Sequence, residues 1–95
     1  MSGEVDEAGD FLALVARLQA EDPRLSGIQA ALVAAARTGV ANDSRTFARC
    51  LDLAHALVLR ELNALAERGG TIRIDGRDAR TMRTRYSLAS WSTCP

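Results

Sequence analysis

The sequence predicts a mainly α-helical domain that closes in a small β-hairpin. Three observations carry this expectation. Apolar residues recur at three- and four-residue spacing from Phe11 to Leu65; Pro23, Gly39 and Gly69 punctuate that pattern; and the period changes to two only after Gly70. The chain has 95 residues, the size of one domain with one hydrophobic core. Its apolar fraction of 47% and charged fraction of 25% are ordinary for a folded protein, which excludes wholesale disorder and a fibrous repeat. Seventeen residues are alanine, however, so few large side chains remain for the core and a dimer is expected.

Residues 1–9 are small or acidic and show no periodicity, so they read as a disordered leader, with Asp10 placed to cap the first helix. Phe11, Leu14, Val15 and Leu18 then recur at i, i+3, i+4, i+7 spacing, giving that helix one apolar stripe. Glu21-Asp22-Pro23 ends it, because proline disfavours helical geometry in the residue before it. Ser26 caps a second helix in which Ile28, Leu32 and Ala35 or Ala36 share a face, and Gly39 stands at its C-terminal cap. Its many alanines point to close helix-to-helix approach. Asn42-Asp43-Ser44 offers N-capping side chains to a short third helix, in which Phe47, Cys50 and Leu51 lie three or four apart. After a break near Asp52, Val58, Leu62 and Leu65 mark a longer fourth helix over about residues 54–68, stopped by Gly69-Gly70. TIRI and RTRYSL alternate apolar with polar, through Ile72 and Ile74 and through Tyr86 and Leu88, and DGRDARTM between them reads as a loop. A single domain over 10–90 and a tail over 91–95 result.

Charge and side-chain chemistry narrow the function classes. Twelve basic residues, all arginine, balance twelve acidic ones, and a net charge of zero argues against an indiscriminate polyanion binder. The balance is uneven, though: up to residue 42 there are three arginines and six acids, and beyond it nine arginines and six acids. Charged residues break every apolar stretch well short of the roughly 18 residues a bilayer requires. The acidic start also lacks the basic and apolar regions of a secretory signal, so the expected location is cytoplasmic, with no membrane partner. Cys50 falls in an apolar helical pattern and reads as a core residue, and Cys94 lies in the tail. With one histidine, the chain shows neither a metal-ligand spacing nor a disulfide framework, and no metal or cofactor is expected. No nucleophile–base pair, carboxylate pair or phosphate-binding glycine loop stands out, so the chain does not read as an enzyme.

A short helix, a tight turn, a longer helix and a basic hairpin in succession make a winged helix-turn-helix, mainly α with a small β-hairpin wing. Phe47-Ala48 and Leu51 mark the short helix, Val58, Arg60, Leu62 and Leu65 the longer one, and Arg68-Gly69 its end. Arg77, Asp78 and Arg80 form the hairpin tip, and Tyr86 and Leu88 close the returning strand. In these positions residues 47–88 resemble the core of the MarR-type winged-helix transcriptional regulators. The resemblance implies a recognition helix over about 54–68 in the major groove of double-stranded DNA, a wing over 73–85 on the backbone or in the minor groove, and a homodimer. Two departures accompany it. The family opens its recognition helix with small polar residues, where this chain has Ala54, His55, Ala56 and Leu57, and only seven residues follow Leu88 where the family has dimerisation helices. A dimer is therefore expected to use the N-terminal helices and the tail, through Phe11, Leu14, Val15, Leu18 and Trp91.

Arginine suits a wing because its guanidinium fork pairs with phosphate and is drawn into a narrow minor groove. The expected DNA contacts are Arg45, His55, Arg60 and Asn63 from the helices, and Arg73, Arg77, Arg80, Arg83 and Arg85 from the wing. Each has a plainer role open to it. His55 either meets phosphate, senses pH or caps its helix; Arg60 either meets DNA or pairs with Asp52; the wing arginines either meet DNA or pair with Asp75 and Asp78. With only His55, Arg60 and Asn63 able to hydrogen-bond outward, specificity is expected to lean on the wing and on DNA shape. The rival expectation is a winged-helix module for protein–protein interaction, using the apolar run Ala54 to Leu59 and Trp91.

Overall fold

The computed structural model describes residues 7–89. Among them, helices α1 (Glu7–Glu21), α2 (Gly27–Thr38), α3 (Ser44–Leu51) and α4 (His55–Arg68) precede an antiparallel hairpin of β1 (Ile72–Arg77) and β2 (Thr84–Leu88). The chain is thus mainly helical with a small two-stranded sheet, a layout compatible with a winged helix. α1 begins at Glu7, so the leader expected over residues 1–9 is corrected at its end, and Asp10 lies inside the first turn rather than at the cap. A carboxylate is favoured in the first turn of a helix, which suits Asp10 to that place. Residues 1–6 and the tail with Trp91 and Cys94 lie outside the described residues.

α2 departs from the one-faced helix its sequence pattern suggests. Gln29 through Ala35 are all buried, because α1 covers one side and α4 and β2 cover the other. A helix enclosed on all sides must be apolar all round, and Ala30, Ala31, Ala34 and Ala35 let its neighbours approach closely. Local chemistry sets its ends. Ser26 Oγ accepts from the Gln29 N–H at 3.0 Å while Gln29 Oε1 accepts from the Ser26 N–H at 3.1 Å, and Gly39 closes the helix at φ 81°.

α3 starts at the predicted cluster, with Asp43 as its N-cap. Its inward stripe is Ser44, Phe47, Ala48 and Leu51, at i, i+3, i+4 and i+7; Cys50 falls off that stripe and is exposed, which corrects its reading as a core residue. α4 buries Val58, Leu62 and Leu65 completely, against a core that includes Leu32, Phe47, Ile72 and Tyr86. Each such side chain contributes about 1.5–3 kcal/mol of burial. Gly69 and Gly70, at φ 77° and 81°, turn the chain out of α4 into β1 through backbone geometry that side chains disfavour.

The hairpin pairs Ile72 with Leu88 and Ile74 with Tyr86, then breaks register between Ile74 and Gly76. β1 therefore runs on through Asp75, Gly76 and Arg77, which simple alternation leaves in the loop. The extra residue reverses the strand's phase: Gly76 opposes the exposed Arg85, and Arg77 opposes the buried Thr84. Tyr86 Oη donates to the Leu32 carbonyl at 2.7 Å and its N–H donates to Asn42 O at 3.0 Å, so β2 docks on α2 and on the segment that enters α3. Burial, and then the charge of Asp43, push the Tyr86 phenol well above its ordinary range, so the hydroxyl remains a donor.

Candidate nucleic-acid interface

Where α3, α4 and β2 meet, polar groups take over from apolar packing. Asp43 Oδ2 accepts from the Thr46 N–H at 2.9 Å and from Arg83 Nε at 3.0 Å. Burial pushes the Asp43 carboxyl up, but the hydrogen bonds from Thr46 and Arg83 outweigh it and hold the group below the usual carboxylate range. Ser44 is fully buried; its Oγ accepts from the Thr84 N–H at 2.9 Å and lies 2.8 Å from His55 Nε2. A serine has one hydroxyl hydrogen, so the pair is satisfied when Ser44 donates to an unprotonated Nε2 and the neutral ring carries its proton on Nδ1, a tautomer inferred from the network. Partial burial, and then the Arg45 guanidinium, push the His55 pKa below its ordinary value against the opposing pull of Asp43.

An open cleft of about 390 Å³ lies at this junction, lined by Arg45, Thr46, Arg49, Asp52, His55 and Arg83 among others. The lining thus sets three guanidinium groups and an imidazole against the Asp52 carboxylate, with Asp43 at the junction paired to Arg83. Arg45, His55 and Arg83, expected from the sequence as separate DNA contacts, share this cleft. Arg49 is not among the expected contacts, although its signal is visible: it follows Arg45 by one helical turn. Asp43, Ser44 and Thr84 give no such signal, because their role depends on a strand that arrives forty residues later.

The remaining residues are more dispersed. Asn63 on α4 accepts from Arg77 Nη2 at 2.7 Å, a contact that the β1 register break makes available by turning Arg77 toward α4. Arg60 is exposed and forms no ion pair among the described residues, so the pairing with Asp52 open to it in the sequence is not made. It belongs to an outward stripe of Ala56, Arg60, Ala64 and Glu67. Arg73 is held on the hairpin by Asp75 at 3.1 Å and Ser87 at 3.3 Å. Arg80 stands exposed in the loop, where Asp78 Oδ1 accepts its backbone N–H at 2.8 Å, and Arg85 is exposed on β2.

Of the residues expected at a dimer interface, Leu18 is only 8% exposed and belongs to this chain's own core, which corrects its assignment to a partner surface. It lies one to two turns along from Phe11 and Val15 on the face that meets α2, where the chain itself covers it. Phe11, Leu14 and Val15 are half-buried against that core. Phe11 and Val15 line an open apolar groove of about 510 Å³ with Leu12, Ala31, Val40 and Leu51. Leu12 is 65% exposed and Val40 48%. Among the described residues no three His, Cys, Asp or Glu side chains gather as a metal site would need, and no helix is long and apolar enough to cross a membrane. Comparison with family models, with curated proteins and with solved structures finds no match to this chain.

Proposed function

We propose that this chain is a cytoplasmic winged helix-turn-helix protein that binds double-stranded DNA as a transcriptional regulator on the MarR plan. In this reading α4 enters the major groove, the β1–β2 hairpin is the wing on the backbone or in the minor groove, and the start of α3 meets the adjoining phosphates. The observation that carries it is the fastening of the cationic hairpin to the helices, through Arg77–Asn63, Thr84–Ser44 and Arg83–Asp43. A pre-set array of arginines loses less ordering entropy on binding than a free hairpin would. Neither a cofactor nor a catalytic group is needed.

Base readout by α4 is sparse, since His55 and Asn63 are already engaged within the chain and Arg60 alone reaches outward without a partner among the described residues. Specificity then rests on the wing and on DNA shape. The groove flanked by Leu12 and Val40 joins two copies, placing two α4 helices about 34 Å apart on a near-palindromic site. Salt-titrated duplex binding tests this: log affinity falls steeply with log salt, and Arg77→Ala and Arg80→Ala each reduce the slope by about one unit. Lack of duplex binding at low salt refutes it. The alternative, a protein–protein interaction module on the run Ala54 to Leu59, keeps only Ala54 and Ala56 of that run exposed, Val58 being buried, and draws also on Ala64 in the outward stripe of α4. It predicts that a polypeptide partner, and no duplex, protects that stripe.

A further inference from the structure

The cleft between α3, α4 and β2 has a feature that simple phosphate binding leaves unused. His55 is the chain's only histidine and the first residue of α4, and its Nε2 is committed to the buried Ser44 hydroxyl, which in turn receives the Thr84 N–H of the hairpin. Charged groups come to this junction from each element packed there. Arg45 and Arg49 come from α3, Asp52 from the turn, Asp43 from the segment before α3, and Arg83 from the entry to β2, where it is paired with Asp43. Protonating Nε2 in the free protein sets a donor against the Ser44 hydroxyl hydrogen and adds a cation beside Arg45. Both effects keep the ring neutral, in line with its lowered pKa.

A phosphate reverses that balance. An anion seated among Arg45, Arg49 and Arg83 offsets the Arg45 charge at His55 and favours the imidazolium, with the Ser44 hydroxyl hydrogen rotated away from the ring, Nε2–H donating to Ser44 Oγ and the ring charge facing the phosphate. We infer that the cleft seats a backbone phosphate of the bound duplex and that filling it transfers one proton from solvent onto His55 Nε2. The inference rests on the DNA-binding reading and makes affinity proton-linked. Besides His55, only the α-amino group and an activated thiol ordinarily titrate between about pH 5 and 8, so His55→Gln assigns the linkage to one residue.

The test is duplex affinity, by fluorescence anisotropy at fixed salt from pH 8 to 5.5, for the full chain and for His55→Gln, together with NMR titration of the one imidazole with and without duplex. The expected result is an affinity that rises as pH falls, by up to about tenfold per unit at the steepest part of the window. His55→Gln keeps an acceptor for Ser44 but takes no proton, so its affinity is flat over the same range. The imidazole of the wild-type chain titrates at higher pH in the complex than free. Duplex binding with no slope, an equal slope in His55→Gln, or an unshifted imidazole overturns the proton linkage and leaves DNA binding standing. No duplex binding at any pH overturns both.

Discussion

Replacing Ser44 by alanine removes the atom on which three elements converge, and the loss can be sized from its contacts. Ser44 is fully buried at the start of α3, and its Oγ is the acceptor for the Thr84 N–H of β2. Alanine leaves that donor without a partner in a dry site, which costs about 1–3 kcal/mol. Loss of the Ser44–His55 hydrogen bond adds less, on the order of 0.5 kcal/mol, because the half-buried ring can turn toward water. Alanine's higher helix propensity returns up to about 0.5 kcal/mol. The net destabilisation is about 2 kcal/mol, which in a urea titration of the full chain lowers the midpoint by about 1–2 M for a domain of this size. His55→Gln, which leaves the Thr84–Ser44 bond in place, costs far less. An unchanged midpoint for Ser44→Ala, or an equal loss for His55→Gln, refutes the idea that Ser44 ties the hairpin to the helices.

Three other outcomes are expected. Tyr86→Phe removes the 2.7 Å hydrogen bond to Leu32 O but no packing, so it costs about 1 kcal/mol and lowers the Tm by about 4–8 °C in calorimetry. On acidification stability falls in two stages. His55, lowered from 6.5, withdraws stability as pH drops below about 6.5. Asp22, held low by Arg68, and Asp43 contribute stability above about pH 4 that is lost as pH falls through their depressed values, so thermal melts of His55→Gln lack the first stage and keep the second. Leu12→Glu changes a side chain that is 65% exposed, so folding stability moves by no more than about 0.5 kcal/mol, while the proposed dimer gives way to monomer in sedimentation. A dimer of undiminished strength removes the groove from the interface.

The parts of the fold that depend on local chemistry are legible in the sequence. Ser26, Gly39, the Asn42–Ser44 cluster and Gly69-Gly70 each bound an element within a residue or so of where the structure places it, because caps and left-handed glycines act through their own backbone. The pattern fails where phase or neighbours decide. One bulged residue carries β1 through Asp75–Arg77 and turns Arg77 to α4, and no alternation rule anticipates an insertion. α2 is enclosed because three elements converge on it, which its own periodicity does not encode. Cys50, three residues from Phe47, fits a helical stripe on paper but sits beyond the edge of the one that Ser44, Phe47, Ala48 and Leu51 form. At the junction, Arg45, His55 and Arg83 are readable as cations, whereas the hydrogen bonds linking His55 to Ser44 and Arg83 to Asp43 arise from residues distant in sequence.

Amide chemical-shift mapping of the full chain titrated with a short duplex tests most directly whether the face built by α3, α4 and the hairpin carries DNA. The expected perturbations fall on Arg45 and Arg49, on the outward stripe of α4 around Arg60, and on the hairpin from Arg77 to Arg85, and they fade as salt is raised. Perturbations confined to the groove around Leu12 and Val40, or none at low salt, contradict it.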